Sequence, residues 1–288
     1  MGVTNAVLQG LLLGGLYALF AAGLSIMFGV MRIVNLAHGD LSVVAAYIAV
    51  LLIGQNFLPL WLVVVLVIPI FAAIGYVLQR TVFQRSLSSD PLATLLVTFG
   101  LSIVIQNVLL QTFSADTRTI DAGSFVTGSL KLGGSIRLSW IGIVGLVAAV
   151  ACIVAIQVFF SRSRTGRMMR AAADDPETAS VVGANPHHVY GVATAIAFAT
   201  VALAGLIFAM RSAFDPSAGP QRLIVAFEAV VIGGLGSLWG TLLGGLALGM
   251  TQSVVSFFDP GSALLAGHLV FLAVLAFRPQ GIIPARTV

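Results

Sequence analysis

The chain has 288 residues, 59% of them hydrophobic and only 8% charged, with a formal net charge of +4 and a mean hydropathy of +1.07. A soluble domain carries about 25% charged residues, so the composition excludes an ordinary soluble protein and points to an integral membrane protein. Barrel strands would alternate apolar and polar positions, whereas these segments are continuously apolar. The bases are scattered between them as membrane anchors, not gathered into a surface for nucleic acid, so no nucleic acid is expected as a partner.

The predicted spans run over 6–30, 41–57, 60–80, 92–111, 140–160, 190–210, 223–236, 240–257 and 264–277. The expected fold is all-α and polytopic, with eight or nine spans. The seventh is short and glycine-rich and reads as a broken or re-entrant segment. The first residues, Met1–Asn5, lack a basic region, so no cleaved signal peptide is expected. The single cysteine, Cys152, lies inside a span; it allows no internal disulfide and reads as core packing.

Between the first two spans, Arg32, Asn35, His38, Gly39 and Asp40 interrupt the apolar pattern. An acid at bilayer depth costs ~2.5–3.5 kcal/mol on insertion scales, so Asp40 should face protein or a water cavity. One reading is a broken helix beside a substrate path; the other is a turn at the membrane surface, with Asp40 capping the next span. His38 has no second His or Cys at ligand spacing, so no metal site is read. In the fourth span Thr98, Ser102 and Gln106 stand at i, i+4 and i+8 on one helix face, with Asn107 alongside. Such a stripe lines a path or bonds across helices. The loop 112–139 is polar, with Asp116, Arg118, Asp121 and Lys131 and turn-forming Gly-Ser pairs.

The segment 161–189 is a charged island between two spans, 140–160 and 190–210, that hold 21 residues each without an acid or base. It carries Arg162, Arg164, Arg167 and Arg170, then Asp174, Asp175, Pro176 and Glu177, then Gly183, Asn185 and Pro186. Asp174 or Asp175 suits an N-cap, Pro176 a first helical position and Glu177 the positive end of a helix dipole. Gly183 suits a left-handed close. The spacing predicts a helix of about two turns over 176–182, too short to stand alone. It is either a well-capped connector or an element docked on this chain or on a partner.

In the seventh and eighth spans, Gly236, Gly240 and Gly244 recur every four residues, which on one helix makes a smooth ridge for close packing. Gly233 and Gly234 permit a break, and Glu228 places another acid just before it. No GxxxxGK[ST] phosphate loop occurs, so the chain is expected not to hydrolyse ATP itself, and no cofactor is expected. If 161–189 is cytoplasmic, alternation places nine of the 14 bases on that side: Arg32, Arg80, Arg85, the four of the island, Arg278 and Arg286. That agrees with the positive-inside bias, with the amino terminus and the loop 112–139 outside.

Taken in order, these stretches resemble the permease subunits of bacterial branched-chain amino-acid ABC importers of the LivH type. The likeness covers nearly the whole chain. It runs through Gly15–Leu19, Asn35–Gly39, Thr98–Ser102 with Gln106 and Asn107, Thr165–Arg167 with Arg170 and Ala171, the Gly183 loop, Gly233–Ser237 and Arg278–Ile282. The resemblance implies one transmembrane permease domain over 1–288 in the bacterial inner membrane. It also implies a second related permease subunit, two cytoplasmic ATP-binding subunits and a periplasmic substrate-binding protein as partners, beside membrane lipid. By the same resemblance 161–189 is a coupling loop, with Arg167, Arg170, Asp174, Asp175, Pro176, Glu177 and Gly183 facing an ATPase. The usual Glu-Ala-Ala start of such loops is replaced by Arg170-Ala171-Ala172-Ala173. Asn35, His38, Asp40, Thr98, Ser102, Gln106 and Glu228 are the candidate substrate path. Gly233, Gly234, Gly236, Gly240 and Gly244 are the candidate packing or breaking positions. Related permeases that carry urea or short amides fit the same motifs. An ion-coupled secondary transporter using Asp40 and Glu228, and an intramembrane enzyme using Ser253 and His268, are the readings from other classes.

Overall fold

The computed structural model describes residues 2–54, 58–87, 91–123, 126, 128–131, 136–181 and 183–284. The predicted tail of the second span (55–57), residues 132–135 of the polar loop and Arg286 lie outside them. Seven helices among the described residues are long and apolar enough to cross a membrane. Two shorter ones complete a polytopic, all-α bundle that agrees with the eight or nine predicted spans.

Helix α1 (Val3–Met31) is the axis of the bundle, and most of its side chains are buried. Its 29 residues span ~43 Å at 1.5 Å per residue, longer than the hydrocarbon core, so it crosses with tilt. It ends at Arg32, whose left-handed backbone (φ 56°) lets its amide donate to the Phe28 carbonyl. Helix α2 (His38–Gly54) follows, then α3 (Leu60–Leu78), which runs through a π-helical turn at Gln79–Phe83 into the single turn α4 (Gln84–Leu87). The π turn buries Gln79, whose Oε1 accepts a 2.8 Å hydrogen bond from Thr194 Oγ1. Helix α5 (Pro91–Phe113) packs on α2 and on the α4 turn and leaves much of its surface exposed.

The polar loop adds one element that the sequence pattern did not indicate. A two-stranded antiparallel ribbon pairs β1 (Ser129–Lys131) with β2 (Arg137–Ser139). The loop is tied down where Arg118 and Phe214 exchange backbone hydrogen bonds and the Ile120 amide donates to Ala209 O.

Helix α6 (Trp140–Arg162) leads into the charged island, which folds as two helices where the capping signals predicted one. The first is α7 (Arg164–Asp174), capped by Ser163 Oγ accepting from the Gly166 amide at 2.8 Å. It buries Gly166, Met169 and Ala172, three residues apart on one stripe. A Cβ at Gly166 would lie 2.3 Å from the Phe159 carbonyl oxygen, so only glycine lets α7 fold back onto α6. The second, α8 (Pro176–Val181), forms where 176–182 was predicted, the last of those residues lying outside the described ones.

Helix α9 (Pro186–Arg211) begins on an Asn185 cap. It is followed by α10 (Gly219–Gly233), α11 (Leu238–Phe258) and α12 (Ala263–Phe277). The helix breaks at Gly234, and both Gly234 (φ 113°) and Gly236 (φ 82°) take backbone conformations that side chains resist. Gly236 is therefore in the turn, not on the helix ridge predicted with Gly240 and Gly244, because Ser237 starts a new helix by accepting from the Gly240 amide. Gly240 and Gly244 do pack tightly, against Gly233 and Ala229 of α10. A second glycine surface joins α11 to the bundle axis: Gly245 and Gly249 meet Gly14 and Gly10, where added Cβ atoms would lie 2.3–2.6 Å from backbone. In lipid, helix association depends on such close backbone approach.

Candidate functional site

The segment 32–37 does not cross to the next span along the membrane surface. It climbs back beside α1, and the His38 Nε2–H donates to the Phe20 carbonyl at 2.9 Å. Phe20 lies 11 residues before the end of α1, so α2 starts ~17 Å in from that end. Asn35 supports the climb by accepting from the Ala37 amide at 3.0 Å. Asp40 is consequently not the cap of a span at the membrane surface: α2 begins at His38, and Asp40 lies in its first turn, 1% exposed.

Ser102 is the central residue of α5, and its Oγ donates to Asp40 Oδ2 at 2.6 Å. Gln106, one turn further, donates through Nε2 to Ser102 Oγ at 3.0 Å. Thr98, one turn before, is fully buried but turns its hydroxyl to Leu95 O. Asn107 points away and donates to Ile103 O. The stripe thus delivers two of its members, Ser102 and Gln106, to Asp40.

The amino end of α10 arrives at the same place from the other side. A Cβ on Gly39 would lie 1.9 Å from the Gly219 carbonyl oxygen, and a Cβ on Gly219 would lie 1.9 Å from Asp40 Oδ1. Two half-length helices therefore meet end to end near the middle of the bundle, each offering the positive end of its dipole. One turn into α10 lies Arg222, which the span assignment placed outside the membrane by starting the seventh span at 223. It is 6% exposed, with its guanidinium carbon 4.1 Å from the Phe208 ring centroid. Arg222 and Asp40 attract each other through space without forming an ion pair. Its signal in the sequence was a base directly ahead of an apolar run that holds an acid of its own.

Glu228 does not join this cluster. It is buried and hydrogen-bonds to His268 Nδ1 of α12. Tyr17 and Gln252 bond to each other nearby, the Tyr17 hydroxyl donating at 2.7 Å. Ser253 donates to the Ala6 carbonyl at 2.7 Å, so Ser253 and His268 are engaged separately and form no dyad. Among the described residues no three His, Cys, Asp or Glu gather as metal ligands.

The second candidate surface is the helix pair α7–α8. Asp175, not Asp174, caps α8: its Oδ1 accepts from the Glu177 and Thr178 amides at 3.0 and 3.2 Å, and Oδ2 accepts from the Thr178 hydroxyl at 2.5 Å. These bonds hold the Asp175 carboxyl below its ordinary pKa, with the Thr178 hydroxyl the leading cause. Gly183 (φ 88°) closes the helix, with the Ala184 amide donating to Ala179 O. Ala179 is seated on the protein, while Glu177, Thr178 and Ser180 are exposed and Val181 is 85% exposed. Arg167 is exposed and donates to the Arg162 carbonyl; Arg170 and Asp174 are exposed beside it.

Comparison with known proteins gives these surfaces a setting. The model for the family described as "Branched-chain amino acid transport system / permease component" matches residues 6–277. The chain is 31% identical to the high-affinity branched-chain amino acid transport system permease protein BraD of Pseudomonas aeruginosa, over 96% of this chain and 94% of that one. It is 28% identical to LivH of Escherichia coli, over 96% and 93%, and 26% identical to LivM of the same organism, over 93% of this chain and 68% of LivM. Among solved structures, a chain of PsaBC from Streptococcus pneumoniae in complex with Fab superposes with a TM-score of 0.50 over 96% of this chain and 92% of that one. At 15% identity that likeness speaks for the fold alone. The chain belongs to the family of branched-chain amino-acid transport permease components, and is a multi-pass, inner-membrane permease of the ABC importer type.

Proposed function

We propose that the substrates are branched-chain amino acids and that the chain carries them inward across the bacterial inner membrane. A second related permease, two cytoplasmic ATP-binding subunits and a periplasmic binding protein complete the machine. The observation that carries this reading is the end-to-end likeness to BraD and LivH, both named as permease proteins of high-affinity branched-chain amino-acid systems. The likeness to LivM over most of the chain is what two related permeases in one assembly would show.

In this reading α7 and α8 are the coupling element. The α7 stripe of Gly166, Met169 and Ala172 fixes it to α6 and α9, while the capped α8 presents Glu177, Thr178, Ser180 and Val181 outward. A short helix with a rigid base and an exposed tip transmits displacement from an ATPase groove to the spans. The spans then alternate between outward-open and inward-open states.

The test is uptake of labelled leucine, isoleucine or valine into liposomes holding the complete assembly, with ATP inside and binding protein outside. ATP-dependent uptake of these amino acids supports the reading. Uptake of urea or a short amide in their place assigns the substrate to that branch of the family. Uptake by this chain alone, driven by an ion gradient without ATP, overturns it.

A further inference from the structure

At the meeting of α2 and α10 the fold leaves charged atoms of both signs without partners. Asp40 Oδ2 is held by Ser102, but Asp40 Oδ1 is buried, faces Gly219 at the amino end of α10, and has no hydrogen-bond partner. Arg222 likewise buries Nε and Nη1 without a hydrogen-bond partner, its guanidinium lying over the Phe208 ring with the Phe214 ring beyond at 6.0 Å. Burying a charged acceptor or donor unsatisfied is costly, and polar groups left so at bilayer depth mark functional sites. The two helices are 17 and 15 residues long, enough to carry full dipoles.

The arrangement has a definite complement: an acceptor of negative charge on one helix end, and donors of positive charge with a helix amino terminus on the other. We propose that Asp40 and Arg222 form a midplane site for a zwitterionic α-amino acid. The ammonium group is accepted by Asp40 Oδ1, and the carboxylate is held by Arg222 and the amino end of α10. This rests on the amino-acid import reading above and sharpens it, because urea or a neutral amide would satisfy neither charge. It also assigns Arg222, a residue outside the predicted path, to substrate.

The route to the site runs past α5. That helix covers Asp40 with Ser102, while half-buried Gln106 stands between Ser102 and the exposed surface. Leu92, Leu96 and Phe99 of α5 are more than half exposed, so α5 is held mainly through α2 and the α4 turn. Withdrawal of α5 uncovers Asp40 without disturbing the glycine-packed axis of α1 and α11. Ser102 is then a positioning residue that holds Oδ2 and leaves Oδ1 directed to the ligand.

The test uses the complete solubilised assembly without binding protein, which would otherwise impose its own selection. Thermal stabilisation is measured with L-leucine, with isocaproate (no ammonium) and with isoamylamine (no carboxylate). The expected result is stabilisation by leucine alone, with apparent affinity weakened about tenfold or more in Asp40→Asn and in Arg222→Gln, as loss of one charge-assisted bond implies. An independent readout guards against variants that do not fold. Gln106→Cys in a Cys152→Ala background should react with a water-soluble thiol reagent, and leucine, but neither single-charge analogue, should slow the reaction. The proposal is overturned if wild-type assembly imports leucine while both variants keep their affinity. Equal protection by the single-charge analogues, or a response to sodium alone, also overturns it. An assembly that neither imports nor binds leucine removes the import reading, and this site with it.

Discussion

Ser102 and Asp40 lie 62 positions apart and share a 2.6 Å hydrogen bond at the middle of the bundle, Ser102 at the centre of α5 and Asp40 in the first turn of α2. The bond joins the loosely held α5 to the buried half-helix. Replacing Ser102 by Ala removes the hydroxyl that donates to the buried Asp40 carboxyl. The expected cost is about 1–3 kcal/mol, read as a lowered midpoint in thermal unfolding of the solubilised protein. The double change Ser102→Ala with Asp40→Asn should cost less than the two single costs added, and strict additivity would show that the pair does not interact.

The Glu228–His268 pair makes a second, separate prediction. His268→Leu strands the Glu228 carboxylate, which is 3% exposed and already has one oxygen without a partner. Leaving a buried polar group without its partner costs about 1–3 kcal/mol, which is the loss expected here. Changing both residues to Leu should recover most of the loss. A double variant no more stable than His268→Leu would assign the cost to packing instead of charge.

Gly240 faces backbone. A Cβ there would lie 2.2 Å from the Gly233 carbonyl oxygen, and backbone cannot yield as a side chain does. Gly240→Leu should separate α10 from α11, cost 1–3 kcal/mol or more by the measure of overpacked cores (about the usual range), and lower the yield of folded protein. Normal yield with normal uptake would show that the contact tolerates opening.

Gly183 tests the coupling proposal, because its surroundings are open and only its backbone is demanding (φ 88°). A β-branched residue there is strained by about 1–2 kcal/mol without any clash. Gly183→Val should therefore leave the protein in the membrane while the ratio of uptake to ATP hydrolysis falls. An unchanged ratio would remove the α8 closure from the mechanism.

Asp175 gives the pH dependence of the same helix. Its carboxyl is held below the ordinary value by the Thr178 hydroxyl and by the Thr178 and Glu177 amides. A depressed folded value means that the cap contributes fully above the unfolded pKa and is lost as pH falls through the folded one. Protection of the α8 amides, taken relative to the intrinsic exchange rate at each pH, should accordingly be steady from neutrality into the mildly acid range and fall only at strong acidity. Asp175→Ala should show lower protection at neutral and mildly acid pH, and the difference should vanish at strong acidity.

The elements read best from sequence are those governed by local rules. The span predicted over 140–160 forms over Trp140–Arg162, and that over 190–210 forms over Pro186–Arg211, because an uninterrupted apolar run has one low-energy state in lipid. Helix α7 went unread although Ser163, Gly166, Met169 and Ala172 spell its cap and its stripe; its three arginines obscured a narrow apolar face. The site is legible only in part. Thr98, Ser102 and Gln106 share a face by spacing alone, yet nothing in their spacing names Asp40 as the partner or separates Ser102 from Thr98.

By itself, then, the sequence determined that this chain crosses a membrane many times as helices, that Gly233 and Gly234 permit a helix to break, and which short helix is capped at both ends. These follow from hydropathy and backbone preference over a few residues. The depth of Asp40, the burial of Arg222 and the meeting of Gly39 with Gly219 were decided by the tertiary structure alone. They depend on 32–37 and 212–218 folding back into the bundle, and that return is stabilised by contacts with distant residues such as Phe20 and Ser102, which no local pattern encodes.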